Sequence, residues 1–229
     1  MDEKEKPQTK SKDRVRDHGE VFTAEREVKA MCDLVKDETE RIDSRFLEPA
    51  CGDGNFLAEI LTRKLTVVRR KYGRSAFDYE KNAVLAASSI YGVDILLDNV
   101  LACRDRMFSI WDKQYKAVCK KNCNEQTRDA VKFIFSKNIV CGNALSLMCV
   151  DENGNETDVP IVFSEWAFIT GTQMQRSDYT FAELLAQNDQ PRKKSKNQMS
   201  MFDMEEQVSD EGKFLKRYIS DYRRVQEYD

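Results

Sequence analysis

The chain has 229 residues, of which 41% are hydrophobic and 34% are charged, and its formal net charge is −3. This length and apolar content allow one domain of good size with a buried core, whereas the negative charge excludes a protein that grips nucleic acid through a global basic field. Contact with DNA therefore requires local patches of basic residues or a partner protein. No apolar run approaches the length of a membrane span.

The cysteines indicate a compartment rather than a metal site. Seven cysteines, an odd number, are spread among apolar neighbours with no signal peptide ahead of them, which predicts buried thiols in a reducing cytoplasm. Cys119 and Cys123 have the close spacing of metal ligands, but the single histidine, His18, is far away in the sequence. Because the ligand set of a structural zinc site is missing, we expect no metal site.

The chain begins with a polar arm and a first helix. Residues 1–17 are nearly all charged or polar, which predicts a disordered arm. Thr23 is positioned to be the N-cap of the helix that follows. The apolar face of that helix is expected to contain Val28, Met31, Cys32, Leu34 and Val35.

A strand, a glycine turn and a helix follow at residues 46–68. The apolar run Phe46–Leu47 ends at Glu48, glycines stand at 52 and 54, and apolar residues then repeat at helical spacing. In this arrangement backbone N–H groups and a helix N-terminus face a ligand. The turn lacks the Lys-Ser/Thr of a phosphate loop and the full G-x-G-x-x-G spacing.

The acids beside this turn indicate the charge of its ligand. Glu48 and Asp53 would repel a phosphate. They suit a cationic ligand that carries amine and hydroxyl donors, such as the sulfonium amino acid S-adenosylmethionine. Glycines that serve only the geometry of an ordinary αβ turn explain this stretch equally well. The residues at the ends of the other strands therefore have to distinguish a ligand-binding turn from a structural one.

Two further β-α units complete the pattern. A buried strand over 89–95 ends near Asp94 and leads into a helix over 96–111, and after a short helix over 127–135 a strand over 138–145 ends near Asn143. Successive β-α units predict an α/β fold with half of a doubly wound, Rossmann-like sheet. Ligands bind at the carboxyl ends of such strands, so the three polar tips are expected to form one site. The alternative is that each acid simply faces solvent.

The C-terminal third is predicted to add smaller elements. Residues 147–150 and 160–163 flank an Asn153-Gly154 pair, which is typical of a β-hairpin. A short helix is expected over 178–187 and a polar linker over 189–208. Residues 209–229 are interpreted as a docking helix, because apolar residues repeat along one side from 214 to 225.

Four motifs, in order, resemble the adenine-N6 DNA methyltransferases of restriction-modification systems, the group that includes type I modification subunits. They are Gly19-Glu20-Val21-Phe22-Thr23, Glu48-Pro49-Ala50-Cys51-Gly52-Asp53-Gly54-Asn55-Phe56-Leu57, Tyr91-Gly92-Val93-Asp94-Ile95 and Gly142-Asn143-Ala144-Leu145. The family usually has proline at position 24 and aspartate at positions 48 and 143. The resemblance implies a class I methyltransferase fold over residues 18–188 that binds S-adenosylmethionine.

The resemblance also implies a role for individual residues. Phe22 and Thr23 would contact the methionyl end of the cofactor, Asp94 would accept hydrogen bonds from the ribose hydroxyls, and Asn143 would face the adenine amino group. The full set of implied cofactor-binding residues is Phe22, Thr23, Glu48, Ala50, Gly52, Gly54, Asn55, Phe56, Asp94, Ile95, Asn143 and Ala144.

One family motif is missing. The fourth strand of these enzymes normally ends in Asn-Pro-Pro-Tyr, which holds the flipped adenine, but this chain has four prolines and no adjacent pair. Residues 158–166 are a candidate remnant, with Trp166 as the stacking ring. Without a fourth strand, β-strand 46–47 has an open edge, which is covered either by the 147–163 hairpin or by a second polypeptide.

These features give two hypotheses about function. In the first, the chain is the cofactor-binding subunit of a split DNA adenine-N6 methyltransferase, and a second methyltransferase or specificity subunit supplies the target-base site and the contact with DNA. In the second, it is a noncatalytic module that regulates a restriction complex. The peptide 198–202, with Gln198, Met201 and Phe202, also resembles segments that dock on the bacterial sliding clamp.

Overall fold

The computed structural model describes residues 23–188 and 215–228, together with Arg14 and Arg16. The predicted linker over 189–208, the clamp-like peptide and Phe22 lie outside these residues, as does nearly all of the predicted arm. None of the helices within the described ranges is long and apolar enough to cross a membrane.

The protein is an α/β structure built on a mixed five-stranded sheet in the order β1-β2-β3-β4-β5. The strands are β1 (Phe46–Glu48), β2 (Ile90–Asp94), β3 (Ile139–Asn143), β4 (Met148–Val150) and β5 (Glu156–Pro160). The first three are parallel, with Glu48 opposite Gly92 and Asp94 opposite Cys141. The last two pair antiparallel with their neighbours.

Helices connect the parallel strands and bury one face of the sheet. Those described are α1 (Glu25–Leu34), α2 (Lys36–Thr39), α3 (Asn55–Tyr72), α4 (Ala76–Ser88), α5 (Leu97–Cys119), α6 (Glu125–Asn138) and α7 (Phe181–Asn188). Leu57, Ile60, Leu61 and Leu65 of α3 are fully buried in the main core, as the helical spacing predicts. The three predicted strands and the helices that follow the first two are confirmed, with α5 and α6 longer than expected. Strand β3, however, is followed by the antiparallel strand β4 and not by a helix.

A second sheet was not expected from the sequence. It is an antiparallel sheet of β6 (Val162–Phe168), β7 (Gln173–Thr180) and β8 (Lys216–Asp221). Because β8 lies within the expected docking helix, that prediction is wrong for residues 215–228. Tyr218 stacks on the Arg176 guanidinium, and Ser220 and Tyr222 are buried. This alternation with a period of two, stabilised by pairing with β7, outweighs the helical spacing.

The N-terminal helix exposes much of the face that was expected to be buried. Val28 and Cys32 pack in the core, but Met31, Leu34 and Val35 are exposed. The N-cap of α1 is Ala24 rather than Thr23, and no side chain caps the helix.

A hairpin forms at the predicted turn, but its second strand is Glu156–Pro160 and not residues 160–163, and it does not cover β1. Strands β4 and β5 flank Gly154 in a turn and extend the sheet beyond β3, which is the opposite side from β1. Among the described residues only β2 pairs with β1. Because successive residues of a strand direct their backbone groups to opposite edges, and Phe46 N donates to Ser89 O on the β2 side, Leu47 directs its N–H and C=O toward the free edge.

A lysine buried beneath β1 joins the start of the strand to the end of α4. Lys64 is fully buried, and its Nζ donates to the carbonyl oxygens of Ile42 and Ser44 and to Ser89 Oγ at 2.7 Å. Burial lowers the pKa of Lys64 to about 7. The unfolded chain, with an ordinary lysine pKa, binds more protons than the folded chain above pH 7.

We therefore predict that the contribution of Lys64 to the free energy of unfolding rises with pH between about pH 7 and the ordinary lysine range near pH 10, whereas thiols whose pKa is raised by burial, such as those of Cys32 and Cys119, contribute in the opposite direction. The contribution of Lys64 approaches about 1.4 kcal/mol per pH unit. The Lys64 contribution is the difference between the free energies of unfolding of the wild type and of Lys64→Met, measured by urea denaturation across this pH range. Other titrating groups contribute equally to both proteins and therefore cancel. Parallel pH profiles for the two proteins would contradict the prediction. Lys132→Met, at an exposed lysine, is the control.

Candidate ligand site at the strand ends

The carboxyl ends of β1, β2 and β3 form one cavity of about 560 Å³. Its size lies within the range of small-molecule sites, about 300–1,000 Å³. The predicted site residues that line it are Thr23, Glu48, Ala50, Gly52, Asn55, Phe56, Asp94, Ile95, Asn143 and Ala144. Gly54 lies behind the lining, and Phe22 lies outside the described residues.

The glycine turn joins the end of β1 to the N-terminus of α3. Gly54 is the N-cap in a left-handed conformation with φ of +86°, and its N–H donates to Cys51 O at 2.8 Å. A Cβ at Gly54 would stand 2.6 Å from Cys103 Sγ. The glycine is therefore required by conformation and by the close approach of α5, and it shapes the turn without contacting the cavity.

The Asp94 carboxylate is fixed by three hydrogen bonds from the protein. One oxygen accepts from Leu96 N at 2.9 Å and from Asn99 Nδ2 at 3.2 Å, and the other accepts from Gly52 N at 2.8 Å. Since a carboxylate has about four lone-pair sites, one remains for a ligand. The Asn99 contact is the longest and is the one that a second ligand hydroxyl can most easily replace.

Asn99 is a cavity residue that was not predicted from the sequence. Its side chain is almost completely buried, yet it lines the cavity and contacts Asp94. An asparagine in the first turn of the helix after an acidic strand end is the signal that could have found it.

The Asn143 amide is held in one orientation. Its Nδ2 donates to Glu156 Oε2 at 2.8 Å and its Oδ1 accepts from Leu145 N at 3.0 Å. Because the carboxylate can only accept and the backbone N–H can only donate, the amide oxygen and nitrogen are not interchangeable. Oδ1 keeps one lone pair with which it can accept a hydrogen bond from a ligand.

The electrostatics of the cavity favour a ligand that is not an anion. Glu48 and Asp94 line it, and no lysine or arginine is among the lining residues of the described chain. Burial raises the pKa of Glu48, and the backbone N–H of Ala50 opposes this shift. The site therefore offers carboxylate, amide and backbone acceptors to a ligand with several N–H and O–H donors.

Helix α1 forms a separate wall of the cavity. Thr23, Val28 and Met31 line the cavity on this side. Arg63 of α3 holds the helix in place, because its Nη2 donates to Lys29 O at 3.2 Å and its Nη1 pairs with Asp33 at 2.8 Å.

The proposal that Trp166 is a stacking ring for a target base is wrong. Trp166 is buried, its Nε1 donates to Asn138 Oδ1 at 2.9 Å, and its ring meets Phe133 edge-on. It belongs to the core between β6 and α6 and is not among the residues that line the cavity.

A second cavity, which we call the β1-edge groove, lies beside the free edge of β1 and measures about 710 Å³. Its apolar lining consists of Val35, Phe46, Leu47, Tyr91, Phe163, Phe181, Leu184 and Leu185. Val35, Leu47 and Leu185 are each about 40% exposed, at 44%, 40% and 41%. An ion pair between Arg45 and Glu165 stands at its rim.

No protein-family model, curated protein or solved structure matches this chain. Within the described residues, no three His, Cys, Asp or Glu side chains are grouped to hold a metal ion.

We predict that Gly54→Ala destabilises the protein by about 2–5 kcal/mol, because left-handed strain adds to the overlap with Cys103 Sγ. Gly154→Ala is the matched control. Gly154 has a similar φ of +84° but nothing within 4 Å of an added Cβ, so only strain of about 1–2 kcal/mol is expected. Equal losses of unfolding free energy in urea for the two variants would show that the overlap at Gly54 is absent.

Proposed function

We propose that this chain is the S-adenosylmethionine-binding subunit of a site-specific DNA adenine-N6 methyltransferase in a restriction-modification system. The observation that carries the proposal is the acidic cavity at three adjacent strand ends, whose first wall is the glycine turn 48–57. A turn of this sequence resembles the family's cofactor loop, and the acceptors around it complement a cationic nucleoside.

The residues of the cavity match the groups of this cofactor. Asp94 accepts from the ribose hydroxyls with its free lone pair and by replacing Asn99, while Asn143 Oδ1 accepts from the adenine amino group. Glu48 and Asp94 place negative charge near the sulfonium and the amino group. When bound, the cofactor supplies an electrophilic methyl group for transfer to the amino nitrogen of adenine.

The target-base site belongs, in this proposal, to a second polypeptide that also contacts DNA. The chain has no adjacent prolines, so it cannot contain Asn-Pro-Pro-Tyr. The free edge of β1 and the β1-edge groove support a partner that adds a strand there, because an extended segment can pair with Leu47 and place apolar side chains in the groove. A strand in that position would end beside the cavity.

The absence of Asn-Pro-Pro-Tyr also supports the alternative function, a noncatalytic module that keeps the cofactor site and regulates a restriction complex. A neighbouring reading frame that begins with a strand and this motif favours the catalytic function. The clamp-binding prediction for Gln198, Met201 and Phe202 falls on residues outside those described and stays a prediction.

We predict that calorimetry detects S-adenosylmethionine binding to the wild type and that Asp94→Ala weakens it by about 10- to 100-fold, the range for hydrogen bonds to a charged acceptor. Asp129→Ala is the control, because it removes an exposed acid that forms a surface ion pair with Lys132. The affinity of this variant for S-adenosylmethionine should equal that of the wild type. Wild-type binding that survives Asp94→Ala unchanged would contradict the ribose contact.

We further predict that methyl transfer to DNA requires this chain together with the partner that carries Asn-Pro-Pro-Tyr, and that Leu47→Glu weakens their association. Leu101→Glu is the control, because Leu101 is similarly exposed, at 49%, on α5. Methylation assays and gel filtration measure the two effects. The split arrangement fails if the purified chain alone methylates DNA at the rate of intact enzymes.

A further inference from the structure

Arg106 of α5 contacts the glycine turn at Asp53 and Asn55. Its Nη1 donates to Asn55 Oδ1 at 2.6 Å and lies 3.4 Å from Asp53 O and 3.3 Å from Asp53 Oδ1. Arg106 is not one of the cavity-lining residues, but Asn55 is. The arginine therefore acts on the cavity only through the residues of the turn.

Asn55 also contacts the opposite wall of the cavity, which is formed by Thr23 and α1. Its Nδ2 faces Thr23 O at 3.4 Å, where α1 begins. Arg106 can only donate a hydrogen bond and a carbonyl oxygen can only accept one, so the Asn55 amide has a single orientation that satisfies both. Asparagine thus connects a donor on α5 to an acceptor on the N-terminal segment.

No side-chain hydrogen bond caps the start of α1 within the described residues. Its N-cap, Ala24, has no side chain that can cap the helix, and the first-turn amides of Glu27 and Val28 bond to Ala24 O at 3.0 Å. The Asn55 contact therefore fixes the cavity wall at the point where capping is missing. Arg63 holds the same helix further along, at Lys29 and Asp33.

We propose that Arg106 and Asn55 form a positioning relay that holds the glycine turn and the Thr23 segment at a fixed separation across the cavity. Arg106 is a positioning residue in this relay, because its hydrogen bonds to the described part of the chain go to the turn and not to the cavity. The inference rests on the proposed function in one respect: the ligand whose affinity the relay sets is S-adenosylmethionine. The charge-assisted bond to Asn55 is the strongest single contact of the relay.

The ligand-free protein tests the relay without reference to the cofactor. In Arg106→Met, hydrogen–deuterium exchange at the amides of Glu27, Val28 and Gly54 should speed up by about tenfold, the effect of losing one hydrogen bond to a charged group. Arg106→Lys keeps a cationic donor and should restore part of the protection. Asn55→Asp keeps the acceptor for Arg106 but loses the donor to Thr23 O, so it should affect Glu27 and Val28 while leaving Gly54 protected.

Arg128→Met is the matched control. Arg128 pairs with Asp112 at 2.8 Å and so joins α6 to α5 at a place remote from the turn. Its loss should lower overall stability without changing the relative protection of Glu27, Val28 and Gly54. Thermal unfolding of every variant separates a general loss of stability from the local effect.

Calorimetry with S-adenosylmethionine completes the test. Affinity should fall about tenfold in Arg106→Met, partly recover in Arg106→Lys and stay unchanged in Arg128→Met. Wild-type binding with unchanged exchange and affinity in Arg106→Met would overturn the relay and leave the proposed function intact. Faster exchange in Arg106→Met, with no cofactor binding by the wild type, would support the relay as an organiser of the cavity and overturn the proposed function.

Discussion

The site depends on the hydrogen bond from Gly52 N to the Asp94 carboxylate, which joins the end of β1 to the end of β2. Cys51 N adds a bond to Val93 O at 2.8 Å, so the glycine turn continues the parallel pairing beyond the strand. Parallel strands place their carboxyl ends on one side of a sheet. The acidic cavity follows from this pairing, because the turn that exposes backbone N–H groups also orients the acid.

The sequence predicted the parts of the fold whose signals are local. Each parallel strand is a short apolar run followed by a polar residue, and each is joined by helices with clear apolar spacing, as in Leu57, Ile60 and Leu61. The positions of Asp94 and Asn143 at one cavity followed from these units. The Asn153-Gly154 pair likewise specified a hairpin turn without information from distant residues.

The elements that sequence reasoning missed depend on partners distant in the chain. Strand β8 forms because it pairs with β7, and Tyr222 donates a hydrogen bond at 2.5 Å to the buried Glu80 of α4, which is 142 residues away. Local spacing alone favoured a helix there. Asn99 and Arg106 were missed for a similar reason, since an ordinary polar residue on a helix gains its role only from what it contacts in the fold.

The two edges of β1 differ, and this difference connects the proposed cofactor site with the proposed partner surface. One edge is paired with β2 and leads to the cavity, while the other is unpaired within the described ranges and adjoins the β1-edge groove, which is lined by both apolar and charged residues. A free backbone edge next to exposed apolar side chains is normally covered in a stable assembly. In the proposed function, the same strand connects the site for a small cationic nucleoside to the surface that binds a second chain.

The most direct measurement is an NMR titration of the isotope-labelled chain with S-adenosylmethionine. The backbone amides of Gly52, Ile95 and Ala144 lie at the ends of β1, β2 and β3, where all three residues line the cavity. The account predicts that their chemical shifts change together and saturate at one ligand concentration. Shifts confined to another surface, or no shift at saturating ligand, would contradict it.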